Sequence, residues 1–341
     1  MKVRFISNFP LSIVYGGFEH QCIQTCKALR TIGVDADLLN WHDKKEEDYI
    51  LHLFAPDPKW SRIVEHWGHR GPVVISAIAG TRGFNSLSGR VRRTTNCLAQ
   101  LLHQETTYHR TRKMLQNIDK IICLNFLEQD YFVKNYLLSP EKVRIIGNGV
   151  DISRFSVPKD IFVAKYGWSD FVLYVGSITH RKNPLLLAKC LVQLGIKGVF
   201  IGGEMPMERE YCKSFRKIVA QYPNLRWIPG LKYDEPILGS AFSAAKVLCL
   251  PSTAETQPLC ALEAMAAGKT VILGDFPYAY QSPFERAIKV DPCDKEQVES
   301  AIQNAINKND FVTERLSTEY TWDSVARKIA QVYLELNGSV L

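Results

Sequence analysis

The sequence lacks several patterns that mark whole classes of protein. Its longest apolar stretches, such as Val73–Ala79, fall short of the roughly 20 residues that a membrane-spanning helix needs. No GxGxxG follows a predicted strand, which disfavours an NAD-dependent enzyme, and the eight histidines show no HExxH spacing. No internal repeat recurs at a fixed period. These absences leave an ordinary soluble globular protein, with 46% hydrophobic and 23% charged residues.

The number and spacing of the cysteines argue against disulfides and against a zinc site. There are nine, an odd number, scattered from Cys22 to Cys293 without a CxxC pair. This arrangement is typical of reduced, buried thiols rather than of disulfides or a zinc site. The first apolar run, Val3–Ile6, contains Arg4 and is too short for a signal peptide. We therefore expect a cytoplasmic protein.

The formal net charge is +7, and the first half of the chain contains two local clusters of basic residues. One interpretation is a solvated face of a mildly basic protein. The other is attraction to anionic lipid headgroups, hence peripheral association with the inner face of a membrane, or to a phosphate-bearing acceptor. No nucleic-acid motif accompanies the charge, so nucleic acid is not an expected partner. The clusters comprise Arg82, Arg90, Arg92 and Arg93, then Arg110, Arg112 and Lys113.

At 341 residues the chain is longer than a single core usually serves, and its pattern begins twice. Apolar strands alternate with helical segments in both halves, which predicts parallel βαβ units in doubly wound sheets. Ligands of such sheets bind at the carboxyl ends of the strands, so we expect a cleft between the halves. The predicted strands are 3–6, 34–39, 49–54, 73–77, 118–124, 143–146, 171–175, 198–201, 247–250 and 270–273. The predicted helices begin near 18, 98, 184, 258 and 322.

The segment 252–268 carries the most chemical information. Pro258 fits the first turn of a helix and Gly268 fits its C-terminal cap, so Glu255 lies on the preceding loop and Glu263 within the helix. That helix is apolar on almost every side and should be buried. A buried carboxylate is costly without partners, and the vicinal hydroxyls of a ribose would supply them.

The backbone amides near 257–260 suit a diphosphate, because a helix N-terminus attracts anions. The spacing alone leaves another interpretation open, in which Glu263 pairs with a nearby cation and Glu255 faces water.

Glu255 and Glu263, followed by the segment 264–268, resemble the E-x7-E signature and adjoining helix of the retaining nucleotide-sugar glycosyltransferases of group 1, or family 4 type. Four further segments resemble that family in the right order, and together they cover nearly the whole chain. They are Tyr15-Gly16-Gly17, Asn148–Asp151 with Phe155, Gly176–Pro184, and Thr321-Trp322 with its helix.

The resemblance implies a GT-B fold, in which two Rossmann-like doubly wound domains face one another across a cleft. It implies an acceptor-binding domain at 1–155, a donor-binding domain at 165–315, and a C-terminal helix at 320–338 that crosses back to the first domain. It also implies that Glu255 contacts the transferred sugar, that Glu263 binds the ribose, and that Lys182 with Arg181 neutralises the leaving diphosphate without a metal. No cofactor beyond the nucleotide-sugar donor is expected. The donor-binding set is Gly16, Gly17, Gly176, Ser177, Thr256, Gln257, Pro258, Leu259 and Glu263.

Plainer interpretations stand beside these roles. Arg181 and Lys182 would then be an exposed loop pair near a helix N-terminus, and Gly16-Gly17 an ordinary tight turn. The chain also departs from the family pattern, with Ser177 where many members have arginine and Gly147 where proline is usual. The histidine that many relatives carry after the strand at 73–77 has no counterpart. Arg82 is our candidate there for contact with the acceptor or the sugar, although a surface arginine fits equally.

The function expected is transfer of a sugar from a UDP- or GDP-sugar to a glycan or lipid-linked acceptor, in polysaccharide or glycoconjugate biosynthesis. No carboxylate stands out as a nucleophile, so attack from the face of departure is the consistent hypothesis for retention. Two alternatives stay open: a catalytically silent nucleotide- or carbohydrate-binding subunit, and another GT-B activity such as nucleotide-sugar hydrolysis or epimerisation. Asp35-Ala36-Asp37 imitates a DxD metal site, but strand alternation explains it more simply.

Overall fold

The computed structural model describes residues 1–8, 16–42, 48–78, 106–231, 233–307 and 316–338. The chain divides into two compact units: unit 1 comprises 1–149 and 319–341, and unit 2 comprises 150–318. Several residues of the sequence analysis lie outside the described ranges: Tyr15, the cluster Arg82 to Arg93, and the start of the helical region predicted from 98.

Unit 1 contains a six-stranded parallel sheet in the order β2-β1-β3-β4-β5-β6. Its inner strands are apolar on both faces, as expected where helices cover both sides of a parallel sheet. β3 is buried at all five positions, and Val3 of β1 pairs with Ile50 at its start. The strands are β1 (Lys2–Ile6), β2 (Asp35–Leu38), β3 (Ile50–Phe54), β4 (Val73–Ser76), β5 (Lys120–Cys123) and β6 (Val143–Ile145).

The helices of unit 1 begin and end at recognisable signals. Thr106 and Asn125 each accept a backbone N–H of the helix that follows, which satisfies one of the donors left unpaired at a helix start. The described helices are α1 (Gly17–Thr31), α2 (Ser61–Gly68), α3 (Thr107–Gln116), α4 (Phe126–Tyr136) and, from the end of the chain, α12 (Trp322–Leu336). Short 3-10 turns lie at Pro58–Trp60 and Pro140–Lys142.

The terminal helix α12 packs on α1 within unit 1. The buried His52 ring of β3 joins Tyr333 of α12 to Ser76 of β4, with 2.9 Å from His52 Nε2 to Ser76 Oγ. Burial lowers the pKa of His52 to about 3, so the ring is neutral at physiological pH. A Cβ on Gly149 would lie 2.7 Å from Trp322 at the start of α12. A glycine is therefore needed at 149 for the two segments to pack this closely.

Unit 2 has a second six-stranded parallel sheet, in the order β12-β11-β10-β7-β8-β9. β7 and β10 are neighbours although more than sixty residues separate them along the chain, so the loops that follow them leave the sheet side by side. The strands are β7 (Phe171–Val175), β8 (Gly198–Ile201), β9 (Leu225–Ile228), β10 (Ala245–Leu250), β11 (Thr270–Gly274) and β12 (Ile288–Val290).

The helices of unit 2 alternate with these strands, and short 3-10 turns lie at Pro277–Tyr280 and Phe284–Arg286, with a further one at Thr318–Tyr320 where the chain returns to unit 1. α9 and α10 are largely buried, consistent with their lack of a polar face. The helices are α5 (Ile152–Phe155), α6 (Asp160–Tyr166), α7 (Pro184–Leu194), α8 (Arg209–Gln221), α9 (Pro236–Ala244), α10 (Leu259–Ala266) and α11 (Lys295–Asn307).

The predicted class, two doubly wound α/β sheets, is confirmed. The sequence prediction nevertheless omitted β9 and β12, because β9 carries the half-exposed Arg226 and Trp227 and β12 has only three residues. It also placed Pro258 in the first turn of a helix, whereas Pro258 is the N-cap and α10 begins at Leu259. No helix in the described parts of the chain combines the length and apolar character needed to cross a membrane.

Candidate functional site

Two loops of unit 2 are joined at the carboxyl ends of neighbouring strands. We call residues 176–183, after β7, the β7 loop, and residues 251–258, after β10, the β10 loop. The backbone N–H of Thr253 donates to the carbonyl of Arg181 at 2.8 Å, and the Arg181 guanidinium donates to the carbonyl of Ala254. These bonds fix the predicted cations on one loop beside the predicted carboxylate on the other.

The carboxylate of Glu255 is the meeting point of the two loops. Its Oε1 accepts from Ser252 Oγ at 2.9 Å. The same oxygen lies 2.9 Å from Lys182 Nζ and 3.0 Å from an Arg181 guanidinium nitrogen. No described residue hydrogen-bonds to Oε2 of Glu255. One oxygen therefore anchors the side chain, and the other keeps its acceptor capacity.

Two opposing effects set the protonation of Glu255. Burial raises its pKa, but the charges of Lys182 and Arg181 and the hydrogen bonds from Lys182 and Ser252 outweigh burial and hold the pKa below its usual value. The side chains of Glu255 and Lys182 are only 10% and 15% exposed, against 44% for Arg181. A carboxylate that is ionised at neutral pH thus sits against a sheltered lysine.

The β7 loop is shaped for close approach of backbone and lysine. A Cβ on Gly176 would meet Lys182 Cδ at 3.0 Å, so any larger residue would push the lysine aside. Gly202, after β8, has φ +149°, and a Cβ there would lie 2.0 Å from the Gly176 carbonyl oxygen. From below, the Tyr174 hydroxyl donates to the carbonyl of Ser177 at 2.8 Å. The loop conformation therefore depends on two glycines and a buried tyrosine.

Glu263 has a contrasting environment inside α10. It is 6% exposed and makes no salt bridge with a described residue. Burial raises its pKa to about 8, and the charge of Arg154 offsets only part of this effect. Arg154 itself lies over the ring of Tyr233, 4.5 Å from the centroid. The interpretation in which Glu263 is the paired carboxylate and Glu255 faces water is therefore wrong, since the pairing is the reverse.

The remaining predicted donor residues of unit 2 lie on the same two loops or, for Leu259, at the start of α10. Thr256 is half-buried, Gln257 is buried, and Pro258 caps α10 with extended backbone. Leu259 is the first helical residue, so its amide is among those that begin the helix. Ser177 is half-buried beside Gly176. The structure thus brings Arg181 and Lys182 of the β7 loop into contact with Glu255 of the β10 loop, and the other predicted residues lie next to them in the chain.

The predicted glycines of unit 1 have a different setting. Gly16 is the N-cap of α1 and Gly17 its first residue, and both are exposed. The buried Glu19 carboxylate has a pKa raised by burial and partly lowered by hydrogen bonds from the backbone N–H groups of Glu19 and Gly16. A side-chain carboxylate therefore already engages the Gly16 amide. Arg82 lies outside the described residues.

Nothing in the described ranges forms a metal cluster, that is, three or more histidine, cysteine, aspartate or glutamate side chains placed to share an ion. The aspartates of the DxD-like segment pair with arginines instead. Asp35 lies 3.1 Å from Arg4, and Asp37 lies 2.6 Å from Arg30.

Sequence reasoning did not assign roles to three residues that shape this site. Ser252 supports Glu255, Arg154 is the charge near Glu263, and Glu208 binds both the backbone N–H of His180 at 2.6 Å and its ring at 2.8 Å. Of the three, Ser252 could most easily have been found from the sequence, because it precedes Glu255 by three residues on a turn-rich loop. Arg154 and Glu208 approach the site only through the folding of unit 2.

Residues 159–320 match the model of the family described as glycosyl transferases group 1. The chain is 26% identical over 197 residues to a D-inositol 3-phosphate glycosyltransferase of Jonesia denitrificans. This alignment covers 52% of this chain and 44% of the relative. It is 24% identical over 189 residues to the O-antigen chain mannosyltransferase RfbU of Salmonella typhimurium, covering 54% and 50%. The matches thus span about half the length of these curated relatives.

Solved structures resemble the chain over almost its whole length. Sucrose-phosphate synthase from Thermosynechococcus elongatus has a TM-score of 0.76 at 18% identity and covers 99% of this chain and 100% of its own. HepE from Anabaena, solved in complex with UDP, has a TM-score of 0.69 at 14% identity and covers 98% and 100%. At these identities the likeness shows the fold, which is GT-B.

Proposed function

We propose that this chain, whose fold is GT-B and whose residues 159–320 match the glycosyl transferases group 1 model, transfers a sugar from a nucleotide-diphosphate sugar with retention of configuration. The observation that carries the proposal is the asymmetric anchoring of Glu255, whose Oε1 holds three donors while no described residue hydrogen-bonds to Oε2. A fixed carboxylate oxygen of this kind suits the hydroxyl groups of a sugar ring.

The two cations beside that carboxylate would stabilise the diphosphate that leaves in the reaction. When the glycosidic bond to the donor phosphate breaks, negative charge develops on the diphosphate. Lys182 is already ordered and sheltered by its ion pair with Glu255, so it would turn toward this charge with little loss of side-chain freedom. Arg181 and the amides at the start of α10 would supplement it, the work that a bound metal does in other transferases.

Glu263 fits the ribose of the nucleotide. Its position on a buried helix leaves it without a salt bridge to a described residue, and burial holds its pKa near 8. Two vicinal hydroxyls would donate to its carboxylate and compensate the cost of its ionisation.

The stereochemical course is proposed from the carboxylates around the site, and the acceptor from the relatives named above. No second carboxylate contacts the cluster around Glu255 within the described residues, so attack from the face of departure is the proposed route to retention. The relatives named above act on an inositol phosphate and on O-antigen chains, and HepE was solved with UDP. We therefore favour a UDP- or GDP-sugar donor and a glycan or lipid-linked acceptor at the inner membrane surface, in polysaccharide or glycoconjugate biosynthesis.

The test is a panel of UDP-, GDP-, ADP- and TDP-sugars, with binding and turnover measured in EDTA. We expect one nucleotide to bind, and Glu263→Ala to weaken its binding at least tenfold. Candidate acceptors are then added, and NMR determines the anomeric configuration of the product. Glu235→Ala is a matched control, because Glu235 is an N-cap glutamate of unit 2 without a side-chain capping bond.

Each part of the proposal can fail separately. An inverted product would overturn retention, and turnover that disappears in EDTA and returns with a divalent cation would overturn metal independence. Donor binding without turnover with any acceptor would support a silent binding subunit. Binding of no nucleotide at all would remove the transferase proposal.

A further inference from the structure

A pocket of about 340 Å³ lies within unit 1, and none of the residues of the candidate site described above lines it. Asn8 and the segment 55–58 line it, and they follow β1 and β3, which are neighbours in the sheet. The opposite wall comes from α3 and α4, through Thr111, Tyr131 and Tyr136. Its volume is at the lower end of the range of roughly 300 to 1,000 Å³ for small-molecule sites. It is therefore sized for a small group.

The pocket wall that follows β3 contains a non-glycine residue with an unfavourable backbone conformation. Ala55 has φ +68°, a left-handed conformation that is unfavourable for a residue with a side chain. The residues on either side of Asp57 are Pro56 and Pro58, whose rings fix the backbone. Hydrogen bonds from Ala55 N to Ser76 O at 2.9 Å and from Asp57 N to Ala55 O at 3.0 Å hold the turn. A rigid, strained wall indicates a pocket whose shape is set before any ligand arrives.

The polar groups of the pocket are uncharged hydroxyls, one amide and one carboxylate. Hydrogen bonds link the side chains of Thr111 and Tyr131 to the hydroxyl of Tyr136. Asn8 Oδ1 accepts from Trp60 at 2.8 Å, and its Nδ2 has no acceptor among the described residues. Asp57 accepts the N–H of Lys59 at 2.9 Å through Oδ1 and lies 3.4 Å from the Lys59 ammonium through Oδ2. Its remaining lone pairs are available to a ligand.

These groups select against an anionic ligand. Asp57 lines the pocket, and the nearby Lys59 ammonium is engaged by Asp57 and by the carbonyl of Asn8 at 3.1 Å. A phosphate or carboxylate ligand would be repelled by Asp57, and none of the described residues that line the pocket is a cation. A neutral polyhydroxylated ring would donate to Asp57, accept from Asn8 and exchange hydrogen bonds with the tyrosine hydroxyls, above the apolar Phe132.

We infer that this pocket binds a sugar ring of the acceptor, with Asp57, Asn8 and Tyr131 as its hydrogen-bonding residues. That the bound sugar is the acceptor rests on the proposed function. The pocket by itself indicates only that its ligand is a neutral sugar. It commits the transferase to an acceptor that already carries a hexose or an N-acetylhexosamine.

The test is saturation-transfer NMR on the full chain with the methyl α-glycosides of glucose, mannose, galactose and N-acetylglucosamine. We expect at least one glycoside to receive saturation from the wild type. Asp57→Asn and Tyr131→Phe should each reduce that signal at least threefold. Asp130→Asn is the matched control, because Asp130 is an exposed carboxylate on α4, also paired with a lysine, outside the pocket. Circular dichroism melting verifies that each variant is folded.

Nucleotide binding by the same proteins separates this inference from the proposed function. Nucleotide binding without a glycoside signal, or a signal that the two pocket variants leave unchanged, overturns the pocket inference while the donor site stands. A glycoside signal lost in both variants, without nucleotide binding in the wild type, retains the sugar site and removes the transferase proposal. Both signals, with nucleotide binding unchanged in the variants, support the two together.

Discussion

Glu255 and Glu263 are eight residues apart and both largely buried, yet their environments shift their pKa values in opposite directions. Glu255 lies where two loops meet, in contact with two cations and one hydroxyl. These three partners hold its pKa below the ordinary value. Glu263 lies within an apolar helix with Arg154 as the compensating charge, and burial raises its pKa to about 8. The same side chain is thus ionised at one position and largely protonated at neutral pH at the other.

The difference teaches that burial alone does not set the state of a carboxylate. Desolvation acts on both glutamates, and the number of hydrogen-bonding cations decides the outcome. Glu255 has its partners within the protein, whereas Glu263 lacks a salt bridge to any described residue and is consistent with a partner supplied by a ligand.

The largest expected effect comes from removing the main partner of Glu255. Lys182→Met should lower kcat by about 100- to 1,000-fold, the usual loss when one stabilising donor for a developing anion is removed. The substitution also leaves Arg181 as the one described cation on Glu255, beside the Ser252 hydroxyl, so the pKa of Glu255 should rise. Steady-state kinetics over a range of pH, with the donor identified by the nucleotide panel, measures both changes. Lys189→Met is the control, since Lys189 is an exposed lysine on α7, the helix after the β7 loop. A loss below tenfold would mean that Lys182 only anchors Glu255.

The second prediction concerns the stability that each glutamate confers as pH changes. The folded chain retains a proton on Glu263 that the unfolded chain releases, between the ordinary pKa of 4.5 and about 8. The wild type should therefore lose up to about 1.4 kcal/mol of unfolding free energy per pH unit in this window, and Glu263→Gln should not. Urea unfolding of both proteins at pH 5.5, 6.5 and 7.5 measures the difference, which should grow in favour of glutamine.

Glu255→Gln is the matched comparison for that experiment. Because the folded pKa of Glu255 is lowered, its contribution to stability is complete above 4.5 and is lost only as pH falls through the lower folded value. The difference between Glu255→Gln and the wild type should thus stay constant from pH 5.5 to 7.5. Parallel pH dependence of the two variants would show that the glutamates do not differ in the way described.

The sequence predicted the elements that carry this comparison better than the contacts within it. The apolar runs of β7 and β10 and the helix Pro184–Leu194 follow directly from composition and periodicity. The pairing of Lys182 with Glu255 depends on β7 lying beside β10 in the sheet, which no local pattern encodes. The family resemblance placed both residues at the donor, but only the folded chain shows which carboxylate the cations contact. Arg154 escaped prediction for the same reason, since its proximity to Glu263 arises from packing of α5 on α10.

The smallest expected effect tests the uncharged partner of Glu255. Ser252→Ala removes the hydroxyl that donates to Oε1 at 2.9 Å, while Lys182 and Arg181 remain. We expect kcat/KM to fall roughly fivefold, about 1 kcal/mol, the usual net contribution of one hydrogen bond. The acid limb of the pH profile should also move to higher pH, because the ionised form of Glu255 loses a donor. Ser214→Ala, at an exposed serine on α8, is the control. A fivefold loss with an unmoved acid limb would mean that Ser252 supports the loop alone, and that the two cations suffice to keep Glu255 ionised.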